Sequence, residues 1–139
     1  MSLAHRVGRA AALLTLLGLL TGLPLAWAMS GKLDADVGAL IAAHLNALIG
    51  AGWMIGLAWS LPMLRFGPVG CTRLAWLTTV ANYANWAVTL GKAFLHVKGV
   101  GATGDAANDI VFGVLGATVV APALVAGAVW VYGFGGQRT

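Results

Sequence analysis

The stretch AAHLNALIG, residues 42–50, sets a histidine and an asparagine into a run otherwise suited to the interior of a lipid bilayer. A neutral imidazole keeps one nitrogen free to bind a metal. In an apolar surround that nitrogen suits haem iron, and a single ligand leaves the opposite face of the iron open to a substrate. An asparagine partner would instead make His44 an ordinary satisfied interior histidine, and the residues alone leave both readings open. A second polar set follows: Thr78, Asn82, Asn85, Thr89, Lys92 and His96 recur at spacings of four, three, four, three and four. On a helix they form one stripe, which must face protein or a cavity. Asn and Thr join transmembrane helices at about 0.6 to 2 kcal/mol per bond. Two asparagines a turn apart, Asn82 and Asn85, are more than a helix pair needs. His96 is the one candidate for a second axial ligand, and its coordination would close the open face.

The composition says which elements position these residues. The 139 residues are 60% hydrophobic and 9% charged, with mean hydropathy +0.88, which points to a polytopic membrane protein. Such a chain satisfies its backbone as helices or as a closed barrel, and the long apolar runs favour helices. Four runs of spanning length are read, at about residues 10–29, 37–64, 74–95 and 110–134, each long enough for a hydrocarbon core of about 30 Å. The expectation is an all-α, four-helix membrane bundle forming one domain over residues 1–139. The first run also has the basic start and Ala-x-Ala ending of a secretory signal. Its length is nearer that of a spanning helix.

Arg6, Arg9, Arg65, Arg73 and Arg138 fall on one side of a four-helix path, whereas all four acids, Asp34, Asp36, Asp105 and Asp109, fall on the other with three lysines. The basic side is therefore expected to be cytoplasmic, with both termini there, in a bacterial-type inner membrane. The net charge of +4 then reflects topology, and no nucleic-acid partner is expected. Cys71 reads as a small residue in a turn. Gly18-x-x-x-Gly22 and Gly52-x-x-x-Gly56 read as faces that another helix can approach closely. Trp27, Trp59, Trp76 and Trp130 read as interfacial anchors, and Trp53 and Trp86 as deeper rings able to line an aromatic pocket.

From His44 to Asn85 the chain resembles the small membrane isomerases comprising styrene oxide isomerase and hydroxylaminobenzene mutase. The likeness lies in AAHLNALIGAGWMIGLAWSLPMLRFG, with Leu61-Pro62 following the Ala-His pair, and in NYANWAVTL, similar to the Tyr-Ala-Asn-Trp-Ala segment of the mutase branch. The resemblance implies a homotrimer that binds ferric haem b with His44 as axial ligand and acts on a small apolar aromatic, as in aromatic degradation. In the isomerase branch, Lewis-acid opening of an aryl epoxide and a hydride shift give an aldehyde. In the mutase branch an arylhydroxylamine becomes an aminophenol, and this likeness implies that Asn82 and Asn85 orient the substrate oxygen or nitrogen, with Tyr83 a hydrogen-bond donor beside them or a packing ring. Departures are plain: the isomerase branch has asparagine where Gly50 stands, aspartate at Ala81 and tyrosine at Thr89. Two other readings remain, a non-catalytic haem protein using His44 and His96, and a structural subunit without cofactor.

Overall fold

In the computed structural model, residues 1–136 are described; Arg138, counted above with the basic side, lies outside them. Among the described residues there are four helices and no strand. Helix α1, Leu3–Met29, starts well before residue 10 because the Ser2 side chain accepts from the His5 amide at 3.2 Å. Such a cap satisfies one of the orphan N–H groups of a first turn, so the two arginines are carried on helix rather than on a tail. Helix α2, Val37–Ser60, is capped by Asp36 through the Ala39 amide at 2.8 Å and runs into a 3-10 turn, Leu61–Met63. Helix α3, Pro68–Leu95, opens on a proline whose missing N–H costs nothing there. Cys71 therefore stands in the first turn of α3 rather than in the connection, its Sγ 3.6 Å from the Phe66 carbonyl. Helix α4, Ala106–Phe134, is continuous but contains a π-turn at Gly116–Val120. That turn packs on α3 and ends two residues before Pro122, which has no N–H to return to the previous turn.

By length and composition α1, Val37–Met63 and α4 can each cross a membrane. The third helix is long enough, but its inward stripe of Asn and Thr lowers its hydropathy. Leu16, Leu20, Ile49, Ile55, Leu124 and Val131 point outward and exposed, as aliphatics facing lipid do.

The tightest packing joins α1, α2 and α3 through Ala11, Leu14, Ala47, Ala51, Met54 and Ala75, all buried. Small residues let the backbones come close enough for dispersion contacts to drive association in a solvent as apolar as the side chains. Gly18 marks the limit: a Cβ there would lie 2.9 Å from the Ala47 Cβ and 3.1 Å from Leu48 Cδ2. The second glycine pair behaves differently. Gly52 is exposed with nothing near it, and Gly56 meets only the Trp130 ring. Helix α4 lies mainly on α3, covering Leu57, Leu61, Leu64 and Leu74 with Ala126. Its end is held by Arg65, whose amide donates to Gly133 O at 3.0 Å and whose guanidinium donates to Gly135 O at 2.7 Å and lies 3.4 Å from the Tyr132 ring centroid.

Gly18→Ala is expected to destabilise the protein by about 1 to 3 kcal/mol through overpacking. In a double-mutant cycle with Ala47→Gly, unfolding in mixed micelles should show non-additivity, the alanine costing less when residue 47 has no side chain to meet it.

Candidate functional site

His44 lies eight residues beyond the Asp36 cap, about 12 Å along the axis at 1.5 Å per residue. Its ring enters the groove between α1 and α2, and Nδ1 is 2.7 Å from the Gly18 carbonyl oxygen. A carbonyl can only accept, so Nδ1 carries the proton and Nε2 keeps the lone pair. Gly22 borders the same groove, where a Cβ would stand in ordinary contact 3.8 Å from His44 Cε1. The imidazole is half-buried, and Nε2 has no partner among the described residues and is not sealed from the outside. Metal-binding histidines have this arrangement, with the other ring nitrogen donating to a carbonyl that fixes tautomer and orientation. Among the described residues no three His, Cys, Asp or Glu side chains converge to hold a bare ion. His44 Nε2 could serve as one ligand to a metal that carries others with it, as a porphyrin iron does.

The asparagines lie on the other side of α2. Asn46, two residues from His44 and so about 200° round a 3.6-residue helix, faces α3. Its Nδ2 donates to Asn85 Oδ1 at 3.1 Å and to Thr89 Oγ1 at 3.3 Å. The Thr89 hydroxyl in turn donates to Asn85 Oδ1 at 3.4 Å. With its oxygen taken twice, Asn85 presents its Nδ2 donor, which has no partner among the described residues. Asn82 is buried and gives its Nδ2 to the Thr78 carbonyl at 2.8 Å, while its oxygen fills the space left by Gly50. A Cβ at Gly50 would come 2.5 Å from that oxygen.

Two neighbours of the asparagines tie α3 to α1. The Tyr83 hydroxyl donates to the Ala10 carbonyl at 2.8 Å, and Trp86 Nε1 donates to Thr21 Oγ1 at 3.0 Å. In this structure the Tyr83 proton is thus engaged within the bundle. Trp53 packs half-buried against the Leu57 cluster. Trp27, Trp59 and Trp76 are exposed, as anchors would be, whereas Trp130 turns inward and gives its indole N–H to Ser60 Oγ at 2.9 Å.

The lower end of the stripe leaves the site. Lys92 Nζ reaches the Lys98 carbonyl at 3.3 Å. His96 caps α3 in the left-handed region, φ 52°, with Nε2 3.4 Å from Asp34. It stands near the level of Asp36, whose amide bonds Ala93 O at 2.9 Å, and so about 12 Å of helix rise from His44. The structure therefore joins Asn46, Asn85 and Thr89, and keeps His96 apart from His44. Sequence reasoning singled out neither Asn46 as a partner of Asn85 nor Thr21 as the partner of Trp86. For Asn46 a signal existed, because a second amide in an apolar helix needs a polar neighbour.

Asn46→Ala removes two interhelical bonds, and the expected loss is about 0.6 to 1.7 kcal/mol per bond. Unfolding in mixed micelles should show that loss shrinking in an Asn85→Ala background, where the partner oxygen is already gone.

A search among curated proteins finds no match. The family model described as styrene oxide isomerase matches residues 3–134, which takes in all four helices with His44 and the α3 stripe. The chain belongs to the styrene oxide isomerase family, and its chemistry is by family that of an isomerase on helices able to enter a membrane.

Proposed function

We propose that the protein is a haem-dependent membrane isomerase or mutase that rearranges a small apolar aromatic, with His44 as the axial ligand of ferric haem b. One observation carries the reading: the His44 Nδ1–H bond to the Gly18 carbonyl leaves Nε2 as a half-buried, outward-facing lone pair. When bound, the haem supplies a Lewis acid toward a substrate oxygen. His96 is engaged by Asp34 at another depth, so the observations favour one axial histidine over a bis-histidine electron carrier.

The chain's own residues orient the substrate and keep water away. Asn85 offers its Nδ2 to the substrate oxygen or nitrogen, held in that sense by Asn46 and Thr89. Asn82 keeps the same face polar near Gly50. Tyr83 contributes if its hydroxyl exchanges the Ala10 carbonyl for substrate. An aliphatic exterior admits lipid-dissolved aromatics and excludes water that would trap a cationic intermediate. The Tyr83-Ala84-Asn85-Trp86 block favours arylhydroxylamine to aminophenol, in which the hydroxyl passes from nitrogen to a ring carbon and the displaced ring hydrogen ends on nitrogen. The other chemistry is aryl epoxide to aldehyde by ring opening and hydride shift. Neither changes the electron count.

His44 opens from the α1–α2 groove and Asn85 from the α2–α3 side, so within one chain the two sit on different sides of α2. We take the active unit to be a homotrimer in which His44 of one copy faces the asparagines of the next. Helix α3 is then the fourth span, its stripe turned away from lipid, with the arginine-bearing ends of the helices in the cytoplasm of a bacterial-type inner membrane.

The detergent-purified protein should show a Soret band that His44→Ala abolishes; a folded, colourless wild type after haem reconstitution points instead to a structural subunit. Incubation with phenylhydroxylamine and separately with styrene oxide, with no redox partner, identifies the reaction, and haem without either conversion leaves a non-catalytic haem protein. Co-expressed His44→Ala and Asn85→Ala chains, each inactive alone, should regain activity at about one quarter of the sites in random trimers. No recovery means that both residues serve within one chain.

A further inference from the structure

The first half of α3 is flanked by two apolar grooves that the chemistry above does not use. One, about 200 Å³, lies against α1 and is lined by Leu3, Val7, Ala10, Ala75 and Trp76, with Arg6 at its edge. The other, about 240 Å³, lies toward α4 and is lined by Phe66, Gly70, Leu74, Leu77 and Val129, with Arg73 at its edge. A shallow outer face of Thr72, Arg73, Trp76, Leu77 and Val80 joins them. Helices α1 and α3 run the same way through the bundle, so Arg6 and Arg73 stand at one membrane level near the starts of both helices. Both are exposed, and neither guanidinium bonds to any described residue, the single ion pair among those residues being His96 with Asp34. Arg65, by contrast, is engaged at the end of α4.

Two cations edging two apolar slots, with an exposed tryptophan between them, call for a ligand with one anionic head and two apolar tails. A second copy of the chain fits poorly. All four acids lie at the opposite end of the bundle, so a copy in the same orientation brings no Asp or Glu to this depth. The positive ends of the α1 and α3 dipoles add to the mismatch.

We propose that the double groove binds an anionic phospholipid of the surrounding leaflet, its phosphate between Arg6 and Arg73 and its two acyl chains in the two grooves. Selectivity over zwitterionic lipid comes from the two uncompensated guanidiniums.

The test is titration of the purified full-length protein in mild detergent with phosphatidylglycerol and phosphatidylcholine of identical acyl chains, followed by native mass spectrometry. Wild type is expected to prefer phosphatidylglycerol by at least about fivefold, the worth of one basic residue near a charged lipid surface. Arg6→Gln with Arg73→Gln should weaken phosphatidylglycerol binding by about 25-fold, and the double Lys variant should retain the preference. Equal binding of the two lipids by wild type, or unchanged binding by a folded double Gln variant, overturns the proposal. So does efficient disulfide cross-linking between copies at Val80→Cys in a Cys71→Ser background in native membranes, since a second copy would then cover the face.

Discussion

The close contact of α1 and α2 at Gly18 is the constraint on which the rest of the structure depends. Any side chain at residue 18 would strike Ala47 and Leu48, so the helices meet at this distance only because Gly18 has none. The same approach brings the Gly18 carbonyl within 2.7 Å of His44 Nδ1. A packing fact thereby becomes an electronic one: the carbonyl admits only a donor, the tautomer is fixed, and the remaining nitrogen keeps its lone pair free. Were the helices an ångström further apart, the ring would be free to turn.

Every polar group placed in apolar surroundings must find a partner or lose the free energy of hydration. The bundle meets most of this demand by letting α3 serve both neighbours, the buried Thr78 hydroxyl alone on that helix having no partner among the described residues. Tyr83 and Trp86 bind α1 through Ala10 and Thr21, while Asn85 and Thr89 bind α2 through Asn46. Side chains suited to substrate recognition are thus also the struts between helices, and their orientation is inherited from the packing. Asn85 shows this directly, since two donors on its oxygen decide which end of the amide is offered outward.

The helix count, the composition of the spans and the α3 stripe were legible because they follow from periodicity within single helices. Partners were not, because they depend on how helices rotate against each other. Gly18 and Gly52 carry the same small-residue pattern, yet one is in contact and the other faces outward. Trp130 resembles an anchor by position but is drawn inward by Ser60. The starts of α1 and α3 were placed late because hydropathy marks the membrane boundary, whereas Ser2 and Pro68 mark the helix boundary. His96 continues the stripe by spacing and leaves it by conformation, having passed into the left-handed region at the end of the helix.

The departures at Gly50, Ala81 and Thr89 bear on what kind of chemistry this face can support. The volume beside Gly50 is taken by the Asn82 amide, and Thr89 is spent on fixing Asn46 and Asn85. The seam therefore consists of three amides and a hydroxyl, none of which gains or loses a proton near neutral pH. Amides can orient a substrate and hydrogen-bond to developing charge, but they cannot act as general acids or bases. With the Tyr83 hydroxyl given to Ala10, the face lacks a poised proton donor. If the substrate binds at this face as proposed, the amides suit a reaction that keeps its hydrogen inside the substrate, as a rearrangement does.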